Sequence, residues 1–174
     1  MIELFLILLF IAAAILVKMR IELEKIDDVK YAMNNFAVEA ARLVKTIDHF
    51  TPAMVAALSL GGQTIDGYIY ADTDTGTLCL VNKKLRWKLV KGHEILDVAI
   101  VTDDTSQKTS KDYVEHVHVI MHLNDLKYHT VRINCLPVRA KKNSSSYQQA
   151  LATATQWHGM LQYLKQAEEE YRFN

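Results

Sequence analysis

Hydrophobic and polar positions follow three successive rhythms along the chain. The first is unbroken. From Leu4 to Val17 every side chain is apolar. At ~1.5 Å per residue this run spans ~21 Å as a helix, against a hydrocarbon slab of ~30 Å. Met1, Ile2, Met19 and Ile21 lengthen it, Glu3 can stay among the headgroups, and Lys18 and Arg20 can snorkel. The pattern predicts a transmembrane anchor over 1–21. A cleaved secretory signal would carry a basic leading flank, and here that flank holds Glu3 and no Lys or Arg. Ala12-Ala13-Ala14 mimics a cleavage site, but Ile15-Leu16-Val17 continue the run past it. Lys18, Arg20 and Lys25 follow the span, which places the C-terminal bulk on the cytoplasmic side.

The second rhythm is helical. Ile26, Val29, Met33, Phe36, Ala40, Leu43, Ile47 and Phe50 recur at alternating spacings of three and four, a heptad stripe predicting a helix from Glu22 to Phe50. Ala32, Ala37 and Val44 widen the stripe. Two uses fit it: packing on the chain's own sheet, or pairing with another copy. Pro52 ends the helix. Thr51 then caps a short second helix that turns Met54, Val55 and Leu58 inward and stops at Gly61-Gly62. The reading divides the chain into an anchor (1–21), an amphipathic helical segment (22–64) and a β domain with a C-terminal helix (65–174).

The third rhythm has period two. It predicts strands over 68–71, 77–81, 85–90, 94–101, 114–123 and 127–133, with a polar loop over 102–112. Ser144-Ser145-Ser146 then supply an N-cap for a last helix to about Glu170, with Ala150 or Leu151, Ala154, Trp157, Leu161 and Leu164 as its inward stripe. Glu168-Glu169-Glu170 oppose the helix dipole there and predict fraying. The fold class is α+β: helical anchor and stalk, then an antiparallel barrel or curled sheet capped by a helix.

Composition changes this picture little. Twenty basic and twenty acidic residues leave no net charge, which removes the electrostatic footprint of a nucleic-acid binder. Cys79 and Cys135 both sit in apolar strand-like runs and are expected as free thiols in a reducing compartment.

A meander of about six strands closed by one amphipathic helix resembles the pleckstrin-homology-like domain of bacterial proteins. The likeness rests on Gly67 to Asp72 with Thr77 to Val81 as an opening hairpin, Glu94 to Val98 as a strand entry, and Ala150 to Leu161 as a capping helix. Trp157 stands where that family sets a tryptophan against the barrel mouth. The family has seven strands, one more than the pattern here supplies. The resemblance implies a non-catalytic module that binds phosphoinositides or proteins; together with the anchor, it suggests a single-pass protein of the bacterial inner membrane.

Two constellations bear on chemistry. Lys83, Lys84, Arg86, Lys88 and Lys91 form a basic run with Trp87 inside it and no acid between them. Arg86 and Lys88 are expected on one strand face, Leu85, Trp87 and Leu89 on the other. Such a hairpin can meet anionic headgroups or an acidic partner, each cation adding ~1 kcal/mol at a bilayer surface; a solvated edge is the plainer reading. His116, His118 and His122 share one strand face, with Val117, Val119, Met121 and Leu123 opposite. His116 and His118 are weak zinc candidates, and an exposed polar face is the simpler expectation. No nucleophile–base pair, paired acids or phosphate loop is evident, so neither catalysis nor a cofactor is expected. The reading is a membrane-tethered cytoplasmic adaptor that recruits or senses a protein partner near the bilayer. The alternative is a structural membrane protein that oligomerises through its heptad helix.

Overall fold

The computed structural model describes Lys18 and residues 31–60, 66–104, 112–136 and 139–173. The predicted anchor, Lys18 apart, the start of the heptad helix, the Gly61-Gly62 stop and most of the 102–112 loop lie outside the described residues. No helix among the described residues is long and apolar enough to cross a membrane. Packing divides the chain into two units, Met1–Ala41 and Arg42–Asn174.

Helix α1 is described over 31–44. Met33 and Phe36 of the stripe are half-buried and Ala40 is buried, whereas Tyr31 and Val38 on other faces are open to solvent. The helix stops short of the expected Phe50. A turn follows, in which Thr46 and Ile47 donate backbone bonds to Leu43 and Val44, and His49 takes a left-handed φ of 59°. Val44 and Phe50 keep the buried character that the stripe gives them.

In the second unit come β1 (Met54–Leu60), β2 (Gly67–Asp72), β3 (Thr77–Asn82), β4 (Trp87–Lys91), a 3-10 turn (Gly92–Glu94), β5 (Ile95–Asp104), β6 (Tyr113–Leu123), β7 (Thr130–Asn134), β8 (Ala140–Lys141) and α2 (Ser145–Phe173). One open antiparallel sheet runs in the order β4-β3-β2-β1-β7-β6-β5, with β8 paired to the start of β6.

The stretch 54–60 corrects the sequence reading: it is a strand, not a short helix. It is a central one, paired on one side with β2 and on the other with β7, so the sheet takes in residues assigned above to the helical segment 22–64. Met54, Ala56, Leu58 and Leu60 face the core at period two, while Val55 points out. Ala56-Ala57 masked that alternation and favoured a helix by propensity. Two flanking partners outweigh a preference of a few tenths of a kcal/mol per residue. Upstream, the Thr51 N–H donates to Asp72 Oδ2 at 2.7 Å while Asp74 and Thr75 donate to Oδ1, so one buried carboxylate ties the entry of β1 to the β2–β3 turn. Burial pushes the Asp72 carboxyl up, but the N–H groups of Thr51, Thr75 and Asp74 outweigh it and hold it below its ordinary value.

Inward residues of all seven main strands form one core with Ala150, Ala154, Trp157, Leu161 and Leu164 of α2. Ser144 caps α2 through Oγ, which accepts from the Tyr147 N–H, and Lys165 Nζ reaches Leu96 O at 2.7 Å. The helix remains helical to Phe173, past the acidic triplet where fraying was expected. Gly67 is required by close approach: a Cβ there would lie 2.0 Å from Val81 O on β3.

Candidate interaction site

The basic run resolves into a hairpin tip and an inward lysine. Asn82 to Arg86 form a tight β3–β4 connection: the Leu85 N–H donates to Asn82 O, the Asn82 N–H donates to Arg86 O, and Leu85 is left-handed at φ 55°. This is a three-residue loop whose last position normally takes glycine. Asn82 Oδ1 accepts from the N–H groups of Lys84 and Arg86, fixing the turn. A bulky leucine in that conformation is strained by ~1 kcal/mol or more.

The tip is exposed. Lys84 and Arg86 point to solvent and form no ion pair among the described residues, and Leu85 and Trp87 are 40% and 48% exposed. Lys91 is exposed too, farther along β4. Lys83 is engaged, its Nζ 3.7 Å from Asp66 Oδ1 and its N–H on Asp66 O. Arg86 stands just before β4, its carbonyl accepting the Asn82 N–H.

Lys88 differs most from the other cations of the run. It pairs with core residue Leu80 across the strands and lies two residues from buried Val90. Its Nζ is 3.0 Å from Glu94 Oε1 and 2.5 Å from Asp125 Oδ2. Asp125 Oδ1 meanwhile accepts the N–H groups of Lys127 and Tyr128 in the β6–β7 turn. The bond from Lys88 and those backbone bonds hold the Asp125 carboxyl down at about 2. Burial works against the Lys88 charge, and the two carboxylates more than offset it and raise its pKa. Edge strands β4 and β5 are not paired with each other; one lysine joins β4 to the entry of β5 and to the far hairpin. It is a clamp whose charge is already met by two carboxylates.

The histidine strand behaves as predicted on its apolar side: Val117, Val119, Met121 and Leu123 are fully buried. Its polar side does not lie open. His118 is 5% exposed, and His116 and His122 are half-buried. Cross-strand register sets Asp103 opposite His116, His118 opposite Asn134, and Arg132 opposite both Ile120 and Ser59. Asp103, His116, His118, Arg132 and Asn134 line one small cleft. No group of three His, Cys, Asp or Glu among the described residues is placed to hold a metal ion. Sequence reading missed this cleft because it is built across strands. The only local signal was that Arg132 and Asn134 share a face of β7.

Cys79 and Cys135 are free, and burial pushes their thiols up to about 12 and about 11, far from the reactive range. Compared with protein-family models, curated proteins and solved structures, the chain matches none.

Proposed function

We propose that the chain is a membrane-tethered, non-catalytic adaptor that recruits or senses a protein partner close to a bilayer, with the β3–β4 hairpin as its contact with an acidic surface. The apolar run 4–17 supports the tether. A pleckstrin-homology-like reading of the second unit is supported by the recovered seventh strand, by the strand order, and by Trp157 entering the core from α2.

The observation that carries the contact is the tip itself. Leu85 is held in a conformation that leucine disfavours, beside exposed Trp87 and between two cations that are unpaired among the described residues. A solvated turn would favour glycine there; an apolar side chain flanked by Lys84 and Arg86 suits the boundary between headgroups and acyl chains.

The chain's two tryptophans make the test direct, because Trp157 is 1% exposed and dark to an aqueous quencher. Full-length protein is placed in nanodiscs of zwitterionic or of anionic lipid, and acrylamide quenching of Trp87 is recorded. Anionic lipid is expected to protect Trp87, and Lys84→Glu with Arg86→Glu to remove that protection. Equal quenching in both lipids would end the proposal of surface contact.

A further inference from the structure

We propose that the β6–β7 turn makes a second contact with an anionic bilayer, through Leu126 and Lys127, alongside the contact assigned to the β3–β4 hairpin. The inference rests on that hairpin reading and deepens it, because one lipid surface meets both turns.

Strand register brings the two turns to the same end of the sheet. The end of β1 lies beside the start of β2, and the start of β2 beside the end of β3, through the pairs Leu58–Gly67 and Gly67–Asn82. The end of β1 also lies beside the start of β7, through Leu60–Val131. A bond joins the two connections directly. Lys88, the chain neighbour of Trp87, donates through Nζ to Oδ2 of Asp125, the chain neighbour of Leu126.

Leu126 is wholly exposed. The turn does not need it, since Asp125 Oδ1 fixes the backbone by accepting the N–H groups of Lys127 and Tyr128. A single exposed leucine is ordinary. Here Leu85, Trp87 and Leu96 are exposed at the same end, and Leu96 and Leu126 line one open groove. Apolar side chains gathered in this way, with polar groups around them, mark an interaction surface.

Charge identifies what that surface meets. Lys127 is exposed, stands 5.0 Å over the Tyr128 ring and forms no ion pair among the described residues. The acids of these connections are met within the fold: Lys88 pairs with Glu94 and Asp125, and Lys83 with Asp66. The exposed charges of the two turns are therefore cations. An apolar tip beside a lysine and an aromatic ring suits the boundary between anionic headgroups and acyl chains. Two such contacts also fix how the sheet is tilted on the bilayer, which a single tip cannot do.

The test moves the reporting indole. In full-length protein carrying Trp87→Phe and Leu126→Trp, buried Trp157 stays dark and acrylamide reads the β6–β7 turn alone. In nanodiscs, anionic lipid is expected to lower that quenching about twofold or more relative to zwitterionic lipid, as the indole leaves water for the interface. Lys127→Glu should weaken the protection. The parent chain, measured in parallel, reads Trp87. A third protein, with Trp87→Phe and Val55→Trp, controls for the indole's own affinity for lipid. Val55 is 58% exposed at the opposite end of β1, and quenching there should be equal in both lipids. Protection of Trp87 with equal quenching at position 126 would overturn this inference and leave the hairpin reading standing. Protection at position 126 alone would keep the second turn and end the hairpin reading; equal quenching at both would end both. Protection at position 55 as strong as at 126 would also overturn the inference, since any exposed indole would then suffice.

Discussion

Lys84 and Lys88 are four residues apart in one basic run, and the fold uses them in opposite ways. At the hairpin tip the chain keeps Lys84 and Arg86 in solvent, unpaired among the described residues, beside apolar groups left exposed. One strand pair lower, Lys88 is turned inward and bonded to two carboxylates from distant parts of the chain. The lesson is that sign and spacing of charges do not identify a binding patch. Pleating does the sorting, because every second position of β4 belongs to the interior.

The largest consequence falls on Lys88. Lys88→Met leaves Glu94 and Asp125 facing each other without their cation. The three side chains are 20–28% exposed, so the loss lies between that of surface and of buried pairs, about 2 kcal/mol. For a chain of this length, that lowers the melting temperature by roughly 4–8 °C. Thermal unfolding followed by circular dichroism reads it. A loss no larger than that from Lys84→Met would break the contrast between the two lysines.

Acid sharpens the same point with a smaller effect. The Asp125 carboxyl, at about 2 in the folded protein, lies below its unfolded value. Its contribution is therefore complete above the ordinary carboxylate pKa of ~3.9 and is lost as pH falls toward 2. Asp72, also held low, adds a loss of the same sign. The native chain should thus lose stability steeply between pH 5 and pH 2 (roughly the window set by those values). Lys88→Met should lose less across it, because most of the Asp125 shift has gone. Parallel melting curves for the two proteins over that range would contradict the assignment.

What the sequence revealed follows from how local each feature is. The α2 stripe repeats within one helix, so Ala154, Trp157, Leu161 and Leu164 could be named as core from spacing alone, and all are buried; between Ala150 and Leu151, which spacing left open, Ala150 is the buried one. The inward side of β6 was equally legible from parity. β1 was not, because Met54 to Leu60 suits a helix until β2 and β7 stand on either side of it. The ion pairing of Lys88 was not legible because its partners, Glu94 and Asp125, are six and thirty-seven residues away. The Arg132 cleft draws on β5, β6 and β7 together, and the sequence shows only its pieces: His116 with His118 on one face of β6, and Arg132 with Asn134 on one face of β7.

Leu85→Gly comes next in size. Glycine accepts φ 55° without the Cβ clash, so the substitution should stabilise the chain by up to about 1 kcal/mol, less whatever packing Leu85 retains. In anionic nanodiscs the same variant should reduce protection of Trp87. A gain in stability with unchanged quenching would make Leu85 strained without being useful to surface contact.

The smallest effect is the most discriminating. Lys84→Gln and Arg86→Gln remove charges that form no ion pair among the described residues, and each should change stability by no more than about 0.5 kcal/mol. If these charges serve only as a solvated edge, the pair of changes should also leave Trp87 quenching in anionic lipid unaltered. If they hold the hairpin against an acidic surface, quenching should rise on a melting curve that does not move, and added salt should reproduce the change by screening. The separation matters because Lys88→Met could disturb lipid contact simply by loosening β4. Only a change at the tip that leaves the fold untouched assigns the contact to the tip.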